Sequence, residues 1–194
     1  MERVEWIHEA GGFVLAGGQS TRMGRDKALL MLDGETLVAR AVRSLATACN
    51  QVRIAGGGQQ LREFAEVVPD SRPGCGPLGG IVAGLEATEM AVNLFLAVDV
   101  PFVPAEVWRG LKDFAWNSNA VAVMARVNGQ VQPLCAAYKV GALTGLRREL
   151  EAGRWKVTAA AAAAGRVEYV DFEDEGWFRN VNTPEELAEA GGGR

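Results

Sequence analysis

Phe13-Val14-Leu15-Ala16-Gly17-Gly18-Gln19-Ser20-Thr21-Arg22-Met23-Gly24-Arg25-Asp26-Lys27-Ala28-Leu29-Leu30 is the stretch from which the rest of the chain is read. A short apolar run, with the length and composition of a buried strand, breaks at paired glycines into a loop that carries Arg22, Arg25 and Lys27. Gly17 and Gly18 have no β-carbon, so backbone N–H groups there can come close to an anion. Arg22 and Lys27 add full positive charge, the first as a planar fork and the second as a mobile point charge. Such a loop suits a polyphosphate. The plain alternative is a basic surface turn between a strand and a helix.

The spacing excludes the two commonest phosphate loops. A P-loop needs G-x-x-x-x-G-K-[ST], but here Lys27 is followed by Ala28, so no hydroxyl stands where that motif holds magnesium. A dinucleotide fingerprint needs G-x-G-x-x-G at the strand end, whereas this loop reads G-G-Q-S-T-R-M-G. A G-x-G-x-x-G does occur later, at Gly74, Gly76 and Gly79, with Asp99 downstream. Pro77 removes an N–H from that loop, and a turn holding Pro69 and Pro73 intervenes, so the match reads as accidental.

Composition narrows the function further. The 194 residues are 48% hydrophobic and 23% charged, which fits one globular domain with a sizeable core. A net charge of −4 argues against a nucleic-acid surface. Cys49, Cys75 and Cys135 form no C-x-x-C pair, so neither a disulfide framework nor a zinc site is indicated, and a reducing cytoplasm is the expected compartment. No apolar run approaches a membrane span or a signal-peptide core. His8 is the only histidine and lies in the polar leader, which removes histidine bases, histidine-bound metals and Ser-His-Asp triads.

Apolar runs and turn residues give strands at 13–16, 51–55, 66–68, 92–98, 120–125, 134–138 and 166–172. Helices are expected at 36–46, 77–88, 105–115, 140–151 and 183–189, a helical turn at 61–65, and a small-residue helix in the alanines of 158–164. The alternation predicts an α/β fold in one domain, a mostly parallel twisted sheet with helices on both faces, spanning 12–190 between a leader (1–11) and a tail (191–194). Ligands in such a sheet sit outside the carboxyl ends of the strands. Asp99 follows the nearly all-apolar strand 92–98 at that position. It is the candidate magnesium ligand, with an Asx-type turn before Pro101 as the alternative.

The basic loop resembles L-A-G-G-x-S-x-R-M-G-x-D-K, the signature of nucleotidyltransferases and specifically of the molybdenum cofactor guanylyltransferases. Leu15, Ala16, Gly17, Gly18, Ser20, Arg22, Met23, Gly24, Asp26 and Lys27 match it. Two more segments resemble the family. One is a D-S plus G-P-L-x-G-I loop, matched by Asp70, Gly76, Pro77, Leu78, Gly80 and Ile81; the other is an N-x-N-T-P-E-E-L ending, matched from Asn180 and Asn182 to Leu187. Gln132-Pro133-Leu134 is a weaker match near the acceptor side. Read without the resemblance, Asp70 is equally a turn former; the two asparagines, on alternate positions of an extended segment, share one face, with turn formation and helix capping as the alternative.

The resemblance implies a Rossmann-like nucleotidyltransferase fold and transfer of GMP from GTP to the phosphate of molybdenum-molybdopterin, with magnesium as cofactor. In it Leu15, Ala16, Gly17, Gly18, Lys27, Asp70, Pro77, Leu78 and Asp99 hold the nucleotide. Arg22, Lys27 and Asp99 are catalytic, and Asn180, Asn182 and Gln132 face the acceptor. It also implies transient contact with cofactor-delivering or molybdoenzyme-maturation proteins. The runner-up is a cytidylyltransferase or another small nucleotidyltransferase. Of a different class is a non-catalytic dinucleotide-binding domain built on Gly74 to Gly79. One departure stands out: some relatives carry an asparagine after the second strand, where this chain has Gly56-Gly57-Gly58.

Overall fold

A computed structural model describes residues 8–17, 26–70, 72–181 and 186. In chain order the strands are β1 (Gly11–Leu15), β2 (Met31–Leu32), β3 (Glu35–Thr36), β4 (Gln51–Ala55), β5 (Glu66–Val68), β6 (Val92–Ala97), β7 (Ala122–Val127), β8 (Gln130–Lys139) and β9 (Val167–Phe172). The α-helices are α1 (Leu37–Leu45), α2 (Pro77–Glu86), α3 (Ala105–Asn117), α4 (Leu143–Glu151) and α5 (Val157–Ala164). Seven strands form one sheet in the order β5-β4-β1-β6-β8-β7-β9. β1 runs parallel to both β4 and β6, and β4 parallel to β5. β8 is antiparallel to β6 and β7, and β9 is parallel to β7. The expected mostly parallel sheet is present, with one strand reversed.

β1 is buried along its whole length because both faces are covered. Leu37, Val38, Ala41 and Leu45 bring α1, and Val107, Trp108, Leu111 and Ala115 bring α3, onto one face. α1 starts where Thr36 accepts the Ala39 N–H in its side chain at 3.3 Å. Trp108, fully buried, donates its Nε1–H to Ser44 Oγ at 2.7 Å and so ties α3 to α1. On the opposite face, α2, α4 and α5 pack through Ile81, Leu146 and Ala161. α2 lies flat on the sheet because Gly84 leaves room for aromatic rings: a β-carbon there would stand 2.9 Å from Phe95 and 3.1 Å from Phe13. The alanine run is the closely packed helix that was expected, with Ala160 and Ala161 buried.

The differences are local. The hairpin β2–β3 was not foreseen, although Asp33-Gly34 turns it with φ of 51° and 80°, because its two-residue arms are too short to show alternation. β8 extends through Pro133, which falls in a bulge where the register against β7 jumps from Met124↔Ala136 to Ala125↔Gln132. β1 begins at Gly11, and part of the expected leader already packs on the domain. Ala10 is buried and paired with Asn50, and the His8 ring stacks on Trp116 at 5.1 Å. The helix expected at 183–189 lies, apart from Glu186, outside the described residues, as does the tail at 191–194. Among the described residues no helix is long and apolar enough to cross a membrane.

Candidate functional site

β1 is the strand at which the sheet reverses direction of growth: the chain goes outward through β4 and β5 on one side, then returns to lay β6 on the other. The crevice of such a sheet opens beyond the carboxyl ends of β1 and β6. Leu15 O there accepts the Val98 N–H at 3.1 Å, and the Ala16 N–H is donated to Ala55 O at 3.1 Å. Both strand ends are thereby fixed just before Gly17. Gly56, at φ +79°, faces Gly17 so closely that a β-carbon on it would stand 3.0 Å from Gly17 Cα and 3.1 Å from its N. Gly18 and Arg22 lie outside the described residues.

Lys27 and Asp99 meet in this crevice. Lys27 opens a short 3-10 turn, Lys27–Leu29, and its Nζ lies 2.8 Å from Asp99 Oδ2, with side chains only 16% and 27% exposed. Asp26 holds the turn by accepting the Ala28 N–H in Oδ1 at 3.0 Å. The Asp99 carboxylate therefore faces a cation, while its backbone carbonyl accepts the Val181 N–H at 2.8 Å.

Asp70 emerges beyond β5 at the same pole. Its Oδ1 accepts the Arg72 N–H at 2.8 Å in an Asx turn, and the carboxylate lies over the first turn of α2, 3.0 Å from where a Gly79 β-carbon would be. The turn-forming reading of Asp70 is thus what the hydrogen bond shows, with the carboxylate left over the start of α2. Pro77 is the first residue of α2, and the Leu78 side chain is wholly buried, so Leu78 can meet a ligand only through its backbone. The G-x-G-x-x-G decoy fails on topology as well. β5 is an edge strand, and β4 and β1 separate it from β6, so Asp99 is not on the neighbouring strand as a ribose-binding acid would be.

The residues expected to face the acceptor come from distant parts of the chain. Gln132 sits on β8 beyond Cys135, the residue paired with Leu96, and thus at the pole where Asp99 leaves β6. Phe178 is buried, the Arg179 guanidinium lies over the Phe102 ring at 5.2 Å, and Val181 is bonded to Asp99. Exposed Asn180 is carried to this pole by those contacts; Asn182 lies outside the described residues.

Comparison with known proteins follows this geometry. The family described as "MobA-like NTP transferase domain" matches residues 12–166. This chain belongs to that family. It is 37% identical over 192 residues to a probable molybdenum cofactor guanylyltransferase of Pelotomaculum thermopropionicum, covering 94% of this chain and 92% of that one. It is 38% identical over 187 residues to the molybdenum cofactor guanylyltransferase of Cereibacter sphaeroides, covering 92% and 94%. The crystal structure of molybdopterin-guanine dinucleotide biosynthesis protein A from Archaeoglobus fulgidus superposes with a TM-score of 0.78 at 25% identity, over 94% of this chain and 97% of that one. A cytidylyltransferase of Thermus thermophilus, 2-C-methyl-D-erythritol 4-phosphate its substrate by name, shares the fold with a TM-score of 0.70 at 18% identity.

Among the described residues no group of three or more His, Cys, Asp or Glu stands together, and the Asp99 carboxylate stands beside the Lys27 ammonium. That donor set fits a hard cation arriving on phosphate oxygens better than a resident ion in a protein cage. Neither Cys49 nor Cys135 is set up as a thiol nucleophile: burial pushes the Cys49 thiol up to about 12 and raises that of Cys135. Sequence reading missed Gln60, Phe102 and Arg179, which touch the site's supports. Asp26 and Gln60 are joined only by a fold that brings the β4–β5 connection against the basic loop.

Proposed function

We propose that this protein transfers GMP from GTP to the phosphate of molybdenum-molybdopterin. The observation that carries the reading is the Lys27–Asp99 pair at 2.8 Å where β1 and β6 end, in a chain whose relatives over nearly its whole length are named guanylyltransferases. An oxygen of the acceptor phosphate bonds to the α-phosphorus of GTP, the bond from that phosphorus to the bridging oxygen breaks, and pyrophosphate leaves with the electron pair. Lys27, with Arg22, would offset the charge that collects on the β- and γ-phosphates. The backbone at Leu15, Ala16 and Gly17, with Gly18, would seat the nucleotide while Asp70 and the α2 N-terminus close its other side. Asn180, Asn182 and Gln132 would orient the acceptor. Magnesium, held by Asp99 and triphosphate oxygens, would supply further charge neutralisation. A cytoplasmic location and passing contact with cofactor-delivering or molybdoenzyme-maturation proteins go with this reading.

Thermal unfolding with magnesium plus GTP, CTP or NAD tests it, because a ligand at ~100 times its dissociation constant adds ~2.7 kcal/mol of stability. GTP alone should raise Tm, and pyrophosphate release should then require the molybdenum-loaded acceptor. A shift with CTP alone, or with NAD alone, would overturn the assignment.

A further inference from the structure

We propose that Gln60 is a positioning residue for Lys27, acting through Asp26. Gln60 lies on a 3-10 turn, Gln59–Glu63, between β4 and β5. Its side-chain amide N–H is donated to Asp26 Oδ2 at 2.7 Å. The other oxygen of that carboxylate accepts the Ala28 N–H at 3.0 Å and caps the turn from which Lys27 reaches Asp99. One carboxylate thus joins two chain segments: Gln60 fixes its orientation, and its orientation fixes the first turn after the basic loop. A carboxylate bonded on one oxygen only can swing about its terminal torsion, which is broad in energy. Bonded on both, it cannot swing without breaking one of them.

The glycines before Gln60 explain how its amide gets there. A β-carbon at Gly58 would stand 2.6 Å from Gln60 Nε2, so glycine there leaves the amide free to fold back to this position. Gly57, at φ +78°, similarly admits Leu61 Cδ1, which would lie 2.6 Å from its β-carbon. Gly57 and Gly58 thereby leave room for the next turn to carry an amide against Asp26.

The kinetic part of the test rests on the guanylyl-transfer reading; the exchange part does not. Gln60→Ala should accelerate hydrogen exchange of the Ala28, Leu29 and Leu30 amides in nucleotide-free protein while leaving β1 and β6 amides unchanged. It should lower kcat about five-fold, the scale of one ordinary hydrogen bond at an exposed site. Gln60→Glu, which sets a carboxylate against Asp26, should lower kcat further. In a Lys27→Ala background the same Gln60→Ala change should cost nothing more, because its effect runs through Lys27. Equal losses in both backgrounds, wild-type kcat in Gln60→Ala, or unchanged exchange at Ala28 to Leu30 would each overturn the proposal. Should the unmodified protein fail to transfer GMP, the proposed function falls and the exchange result alone decides for or against the latch.

Discussion

Gly56→Ala tests whether the loop after β4 sets the position of the nucleotide loop after β1. Gly56 has φ +79°, and an L-residue in the left-handed region costs about 1–2 kcal/mol, enough to lower Tm by roughly 2–8 °C in a chain of this size. Gly153 is the matched control: its φ is +73° and nothing lies within 4 Å of an added β-carbon. Backbone strain should therefore cost both alanine variants about the same, and the contact at Gly56 adds to it. Only at Gly56 does the new carbon meet backbone, 3.0 Å from Gly17 Cα and 3.1 Å from Gly17 N, with no flexible side-chain tip to swing aside. Gly17 must give by a few tenths of an ångström. If a 1 Å misplacement costs ~10²-fold, a shift of about half that costs ~10-fold in kcat/KM for GTP. Steady-state pyrophosphate release and thermal unfolding of the two variants side by side read both quantities. Equal kcat/KM in Gly56→Ala and Gly153→Ala, with equal loss of Tm, would refute the reasoning.

Lys27→Ala should lower kcat by about 10²–10³, the loss typical of one electrostatic contact to developing charge. Stability should change by no more than about 1 kcal/mol, since the Lys27–Asp99 pair is partly open to solvent; a Tm collapse would instead make Lys27 a folding residue. Asp99→Asn keeps shape and removes charge, and should abolish both transfer and the magnesium dependence of the GTP-induced Tm shift; a shift that still responds to magnesium would take the metal away from Asp99. A thiol reagent at pH 8 should modify Cys75 alone in the folded protein and all three cysteines after unfolding, because Cys49 is held protonated up to about 12 and Cys135 is buried. GTP should slow labelling of Cys75, since Gly74 to Pro77 leads into the α2 N-terminus; labelling indifferent to GTP would count against that loop as a nucleotide contact.

Much of this architecture was legible because its signals are local. The apolar strands at Val14, Ile54 and Leu94 and the strand-end Asp99 each depend on neighbours in sequence. The Gly74-Gly76-Gly79 pattern shows the limit of local reading, since only the strand order places β5 at the edge and removes its meaning. β8 was read short because Pro133 looks like a stop, and only the paired strand reveals the bulge that receives it. The supports of the site were illegible for the same reason. Gln60 on Asp26, Arg179 on Phe102 and Val181 on Asp99 are meetings of distant segments, and nothing in the composition of either partner announces the other.

The bond from Val181 N–H to the Asp99 carbonyl has a consequence in time. During synthesis, the segments that carry Gly17, Lys27, Asp70 and Asp99 leave the ribosome well before the one that carries Val181 and Asn180. On the proposed reading, the segments that face the nucleotide are therefore made before the one that faces the acceptor. The carbonyl of Asp99 is left for the late-arriving segment to claim, and that backbone bond is what joins the two sides.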